Sequence, residues 1–341
     1  MPLLVTNNFS TTNEEYKINI FEKNISIQTL NIYLDVLNIE KIKSVNKYFN
    51  LLLAQLNCDS SICDYLSKKQ KNDYNIYIKG KLKNSLNLIT SYFFQDYVNR
   101  LNFFKRIKSI NYKGMPQEVP EYKHNTKTGR AYIKSGFNFM TLKKEERKNL
   151  THDDKYRKVF EIDFVSCEPS FYLNYLGIQF KKDVYEHIAE KISFYIKNRD
   201  KFKRAIIAII YGADSKTIKR ISNISVADYD KIKSYLKIDE FKERLEEEYK
   251  NHGMIKNFYK RPILSNHNLV NYWIQSSVAD YCCLAFNQFL NNNEFIELHA
   301  FIHDSIIFSC PNENINDLKN VISLSENKSN FSIKTKITPL Y

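Results

Sequence analysis

The stretch KVFEIDFVSCEPSFYLNYLG, residues 158–177, constrains the fold more than any other part of the chain. Valine, phenylalanine and isoleucine flank Asp163 in a run that reads as a largely buried strand. A carboxylate at the end of such a strand costs free energy unless a cation meets it. Glu168 and Pro169 then read as a helix start, with proline at the first helical position, and Gly177 as the C-terminal stop. Taken alone, Asp163 is a hydrogen-bonded core aspartate; a functional role needs support from elsewhere in the chain.

Gly 7 and Pro 7 in 341 residues favour long helices over a sandwich of many short strands. No run of about 18 apolar residues occurs, and MPLLVTNNFSTTNEEY has no basic region leading into an apolar core. The expectation is a soluble, cytoplasmic protein with no membrane partner. Six cysteines form neither a CxxC pair nor a repeated spacing, which argues against a disulfide framework or a zinc site. His299 and His303 have a chelating spacing for a helix, but HAFIHDSIIF reads as strand, where four residues separate the rings by about 13 Å and exclude a shared metal.

The net charge of +13 suits a nucleic-acid binder, although a Lys- and Asn-rich composition also follows from an AT-rich genome. The surplus is concentrated: residues 101–160 hold fifteen Lys/Arg against six Asp/Glu.

Strands are expected within 16–34, a helix over 40–56, a strand at 75–80 and a long aromatic and basic helix over 85–109. A loop-like texture from 113 to 148, containing KTGRAYIKSGFNF, marks a domain boundary. Helical sequence continues after Gly177 to about 250, with an interruption near 212–226. A further helix covers about 266–290, EFIELHAFIHDSIIFSCP reads as a β-hairpin with HDS at its turn, and FSIKTKI is the last strand.

Within RDKFKRAIIAIIYG, Arg199, Lys203, Ile207 and Tyr211 recur at steps of four. On a helix they share one broad face about 18 Å long, with two cations at one end and an aromatic ring at the other. Such a face suits an extended ligand with an anionic tail and a planar head, such as a nucleoside triphosphate. Phe202, Ala205, Ile206, Ile209 and Ile210 remain to pack the helix down, and Gly212 suits its C-terminus.

Here the chain resembles the polymerase module of family A DNA polymerases. DFVSCEPS resembles the family's DYSQIELR motif, with Asp163 at the metal ligand and Glu168 at the residue that screens the sugar 2′ position. Arg199, Lys203, Tyr211 and Gly212 match RxxxKxxxxxxxYG, Asn271 and Gln275 match a downstream NxxxQ helix, and Ile302, His303, Asp304 and Ser305 resemble VHDE. TGRAYIKSGFNF resembles the TGRLSS segment and puts Arg130 where the family contacts the primer terminus. The chain departs from the pattern at Ile207, where an aromatic is common, at His267, where Arg is usual, and at Ser305, where Glu is frequent.

The resemblance implies an α+β right-hand polymerase with an antiparallel-sheet palm, helical fingers and a helical thumb. Its expected division is an N-terminal region and thumb over 1–112, palm over 113–165 and 265–341, and fingers over 166–264. It implies Asp163 and Asp304 as ligands of two Mg2+ ions, with Mn2+ as a substitute and Phe164 lending its carbonyl. Arg199 and Lys203 would hold the triphosphate, Lys203 also donating a proton, with Ile207, Tyr211 and Glu168 around the sugar and base. Arg130, His267, Asn271, Gln275 and His303 would meet primer-template DNA. No D-x-E occurs before residue 150, so no 3′–5′ exonuclease is expected. Two other readings are a single-subunit polymerase that uses ribonucleotides or needs no primer, and an inactive nucleic-acid-binding protein with a polymerase-like palm. The biological task, whether replication of a phage or mobile element, repair or defence, stays open at this point, as do any accessory proteins.

Overall fold

The computed structural model describes residues 102–340, apart from 124, 125, 223, 264 and 266, together with the backbone of 17–20 and 23–26. Residues 252 and 262 are described in their backbone only. The chain divides into two compact units, Met1–Phe94 and Gln95–Tyr341. In the first, Lys17–Ile20 and Lys23–Ser26 pair as an antiparallel hairpin, within the region where strands were expected. The helix expected over 40–56, the strand at 75–80, most of the helix at 85–109 and the helical thumb lie outside the described residues. The expected boundary at residue 113 falls inside the second unit.

That unit is built on a five-stranded antiparallel sheet. Its strands are β1 (Arg157–Phe164), β2 (Glu297–Ile302), β3 (Ser305–Pro311), β4 (Ser323–Ser325) and β5 (Ser332–Pro339), in the spatial order β2-β3-β1-β5-β4. The strand that carries Asp163 is therefore central, with Ser305 opposite Asp163 on one side and Lys336 opposite it on the other. The alternation of β1 explains this place. Phe160, Ile162 and Phe164 point to one face, where Phe164 meets Tyr281 and Phe286 at ring-centroid distances of 5.4 and 4.8 Å. Val159 points to the other face and joins Ile307, Ala300, Phe139 and Leu150 in a second, smaller core. Both faces are covered, so the middle of the strand is largely apolar, with Arg157 and Lys158 at its start, Glu161 within it and Asp163 near its end.

The helix beneath the first face is α8 (Leu269–Asn292), buried along most of its length. Between β1 and α8 the chain forms α2 (Cys167–Tyr175), α3 (Val184–Lys191), α4 (Arg199–Ile210), α5 (Ser215–Ser222), α6 (Val226–Tyr235) and α7 (Ile238–His252). The short α1 (Lys144–Arg147) precedes β1. This mixture of helices and antiparallel sheet agrees with the expected fold class.

One local expectation needs correction. Helix α2 begins at Cys167, two residues before Pro169, because Ser166 adopts a left-handed conformation (φ 54°) that turns the chain sharply out of β1. Pro169 is tolerated because first-turn N–H groups have no helical acceptor to lose. At the other end Gly177 (φ 73°) stops the helix as expected, with Ile178 N–H donating to the Leu173 carbonyl.

Candidate active site

A cavity of about 760 Å3 opens where β1 ends, between the sheet and helices α2 and α4. Asp163 reaches it from the end of β1, and Asp304 from the two-residue turn between β2 and β3. That turn needs a left-handed residue, which His303 supplies at φ 56°. The Asp304 carbonyl accepts the Phe164 N–H at 3.1 Å, which pins the turn to the central strand. Glu168 enters from the first turn of α2, and Arg199, Lys203 and Ile207 from α4.

The face of α4 forms as its spacing predicts. Asn198 caps the helix by accepting the Lys201 N–H, and Phe202, Ala205, Ile206, Ile209 and Ile210 are buried. Tyr211, at the C-cap, donates to Glu168 Oε2, and Arg130 donates to Glu168 Oε1. Glu168 is thus held at both oxygens. Burial and the Glu168 carboxylate push the Tyr211 phenol above its ordinary value, while Gln275 hydrogen-bonds it and acts in the opposite sense. Arg199 donates to Asp183 Oδ2 at 2.6 Å and lies over the Tyr185 ring. Asp183 Oδ1 meanwhile accepts the Tyr185 N–H, capping α3.

Arg130 owes its position to its neighbour. Gly129 has φ 68°, and a Cβ there would lie 2.8 Å from the guanidinium of Arg261. Arg261 is itself buried and paired with Asp280 at 2.7 Å, so it does not yield easily.

The two aspartates do not sit comfortably without a cation. Burial and then Asp304 push the Asp163 carboxyl up to about 6, partly offset by Lys144 at 3.8 Å. Burial and then Glu168 raise Asp304. Carboxylates that raise one another form a hard, all-oxygen donor set, and a divalent cation such as Mg2+ would remove the repulsion. Burial and then Arg130 hold His303 below its ordinary value, favouring a neutral ring.

Of the residues expected at the site, Arg130, Asp163, Phe164, Glu168, Arg199, Lys203, Ile207, His303 and Asp304 line the cavity. Tyr211 is linked to it through Glu168, and Gln275 through Tyr211. Asn271 is half-buried on α8, its Oδ1 without a hydrogen-bond partner among the described residues. His267 is exposed and does not line the cavity. The sequence reading missed Lys144, Arg147, Glu161, Tyr185 and Lys336, all of which line it. Only Glu161 had a signal: it stands two residues before Asp163, on the same face of β1.

His152, Glu297 and His299 also converge, outside this cavity, with ligand atoms within 4.8 Å of one another. Hydrogen bonds account for the cluster. The Asp154 N–H donates to His152 Nδ1, leaving Nε2–H for Glu297 at 3.4 Å. Arg157 Nε donates to Ser309 Oγ, whose hydroxyl donates to His299 Nε2, leaving Nδ1–H for the Lys108 carbonyl. Every ring nitrogen is used.

Residues 175–338 match the model of DNA polymerase family A; the match takes in Arg199 and Asp304 but begins after Asp163 and Glu168. A solved structure described as the POL domain of Pol1 from M. smegmatis in complex with DNA primer-template and dNTP has the same fold, at a TM-score of 0.50 and 12% identity. The likeness covers 92% of this chain and 63% of that one, so the chain spans less than two thirds of the length it resembles. A comparison with curated protein sequences finds no match. No helix among the described residues is long and apolar enough to cross a membrane. Residues 175–338, just under half of the chain, are thus similar to DNA polymerase family A.

Proposed function

We propose that the chain is a template-directed DNA polymerase that adds deoxynucleotides to a primer 3′ end. The observation that carries this reading is the convergence of Asp163, Asp304, Glu168, Arg199 and Lys203 on one cavity from a sheet end, a hairpin turn and two helices. The match of residues 175–338 to the model of DNA polymerase family A supports it.

In this reading Arg199 and Lys203 receive the triphosphate. Asp183 and the Tyr185 ring hold the Arg199 guanidinium in place, whereas Lys203 makes no ion pair among the described residues and is free to move toward the leaving pyrophosphate, neutralise it and donate a proton. Asp163 and Asp304, with the Phe164 carbonyl, would hold two Mg2+ ions, which when bound activate the primer 3′-hydroxyl and stabilise the leaving group. Ile207 offers an apolar surface to the nucleotide between the two ends of α4.

Glu168 is fixed from both sides by Arg130 and Tyr211, so it closes the space that a ribose 2′-hydroxyl needs. This fixed gate favours deoxynucleotides over ribonucleotides as substrates. Arg130, His303, Asn271 and Gln275 meet the primer-template, with His267 further out. The proposed division of labour is palm over 113–165 and 265–341, fingers over 166–264, and thumb within 1–112. Proofreading is no part of the proposal: Mg2+-dependent degradation of a mismatched 3′ end that persists in Asp304→Asn would contradict it.

Primer extension with dNTPs and Mg2+ tests the proposal. The expected result is extension by the unaltered protein and its loss, by about a thousandfold or more, in Asp163→Ala.

A further inference from the structure

The departure at Ser305 has a structural answer on the neighbouring strand. The Ser305 hydroxyl shares its one hydrogen between Glu161 Oε1 at 3.1 Å and the Ile302 carbonyl at 3.2 Å, and Arg147 donates to the same carboxylate oxygen. Glu161 stands two residues before Asp163 on β1 and lines the same cavity. Ser305 lies directly opposite Asp163 and next to Asp304, so Glu161, Asp163, Ser305 and Asp304 occupy one corner of the sheet. Glu161 is 6% exposed. A buried glutamate beside two aspartates that already repel one another is costly, and a core of this kind would be easier to build with an apolar residue. Arg147 accounts for its charge and Ser305 for its orientation; neither accounts for its facing the cavity. Both donors occupy Oε1, which leaves the second oxygen for the cavity.

We infer that Glu161 is a third, outer carboxylate of the metal site, with Ser305 as the hydroxyl that orients it. Its ligand class is a hydrated divalent cation held by Asp163 and Asp304, to which Glu161 offers a hydrogen-bond acceptor. The inference rests on the proposed metal-dependent reading of the site. Arg147 is a positioning residue: its Nη1 fixes the carboxylate, and its Nε has no partner among the described residues.

The test is Mn2+ binding by the full chain without nucleotide or DNA, followed by electron paramagnetic resonance titration at fixed pH. Glu161→Gln keeps an acceptor for Arg147 and should weaken Mn2+ binding by about tenfold to a hundredfold, the range for a group that supports first ligands. The double variant Glu161→Gln/Ser305→Glu, with the acid placed on the neighbouring strand, should recover most of that loss. Should Glu161→Gln fold poorly, Glu161→Gln/Arg147→Met removes the buried pair as a neutral couple and should show the same weakening. Unchanged affinity in folded Glu161→Gln, or in folded Glu161→Gln/Arg147→Met, overturns the inference. So does a loss that Ser305→Glu leaves untouched, since the glutamate would then serve only to anchor Arg147. If the unaltered protein binds no Mn2+ and extends no primer, the polymerase reading falls with it; if it does both, only the role of Glu161 is at stake.

Discussion

At the scale of single residues, the site depends on Glu168 being held at both oxygens. Tyr211 and Arg130 restrain it from opposite sides, so it acts as a fixed wall rather than a mobile side chain. Glu168→Ala is expected to lower the preference for dNTPs over NTPs by about tenfold to a hundredfold, read as the ratio of kcat/KM values. Unaltered discrimination in that variant would mean that the gate lies elsewhere. That Asp163 and Glu168 share one cavity was legible in the sequence because DFVSCEPS keeps the spacing between an acid at a strand end and an acid in a helix start. Lys144 and Lys336 were not legible. Each is one cation among the 51 Lys and Arg residues of a basic chain, and only the cross-strand register and the placement of α1 bring them beside Asp163.

At the scale of elements, the TGR turn and helix α8 are locked together through Arg261. Its guanidinium is buried against Asp280 on α8 and leaves no space for a side chain at position 129. Gly129→Ala adds a left-handed backbone cost to this clash, and is expected to lower unfolding free energy by roughly 2–4 kcal/mol in urea titrations. The same variant should weaken nucleotide discrimination, because Arg130 follows immediately and braces Glu168. The sequence marks Gly129 as a turn residue but not as a packing residue. The difference arises because Arg261 is more than a hundred positions away and reads, in NHGMIKNFYKRPIL, as one more basic residue in a break between helices. The start of α2 was misplaced for a similar reason: Pro169 is a strong local signal, yet the left-handed turn at Ser166 is imposed by the need to leave the sheet.

At the scale of the whole molecule, two buried groups give the stability opposite dependences on pH. His299 is buried in its neutral form, which holds its pKa down to about 4. It contributes fully above its ordinary value of 6.5, and as pH falls toward 4 about 3 kcal/mol of stability is lost. Asp163 acts the other way: with its carboxyl raised to about 6, the folded state keeps a proton that the unfolded chain has released, so the cost grows as pH rises from 3.8 to about 6. Thermal unfolding should therefore show His299→Gln less sensitive to acid than the parent. Asp163→Asn should unfold at a higher temperature than the parent above pH 6 in the absence of divalent cations. Such stabilisation on removing a charge is the mark of a residue kept for chemistry rather than for folding.

The most direct measurement of the central claim combines these properties in one variant. Asp163→Asn should be folded, more heat-stable than the parent at pH 7.5 without metal, and unable to extend a primed DNA template with dNTPs and Mg2+. Extension by this variant at the parent's rate would contradict the account, because the acid at the end of the central strand would then have no part in the reaction.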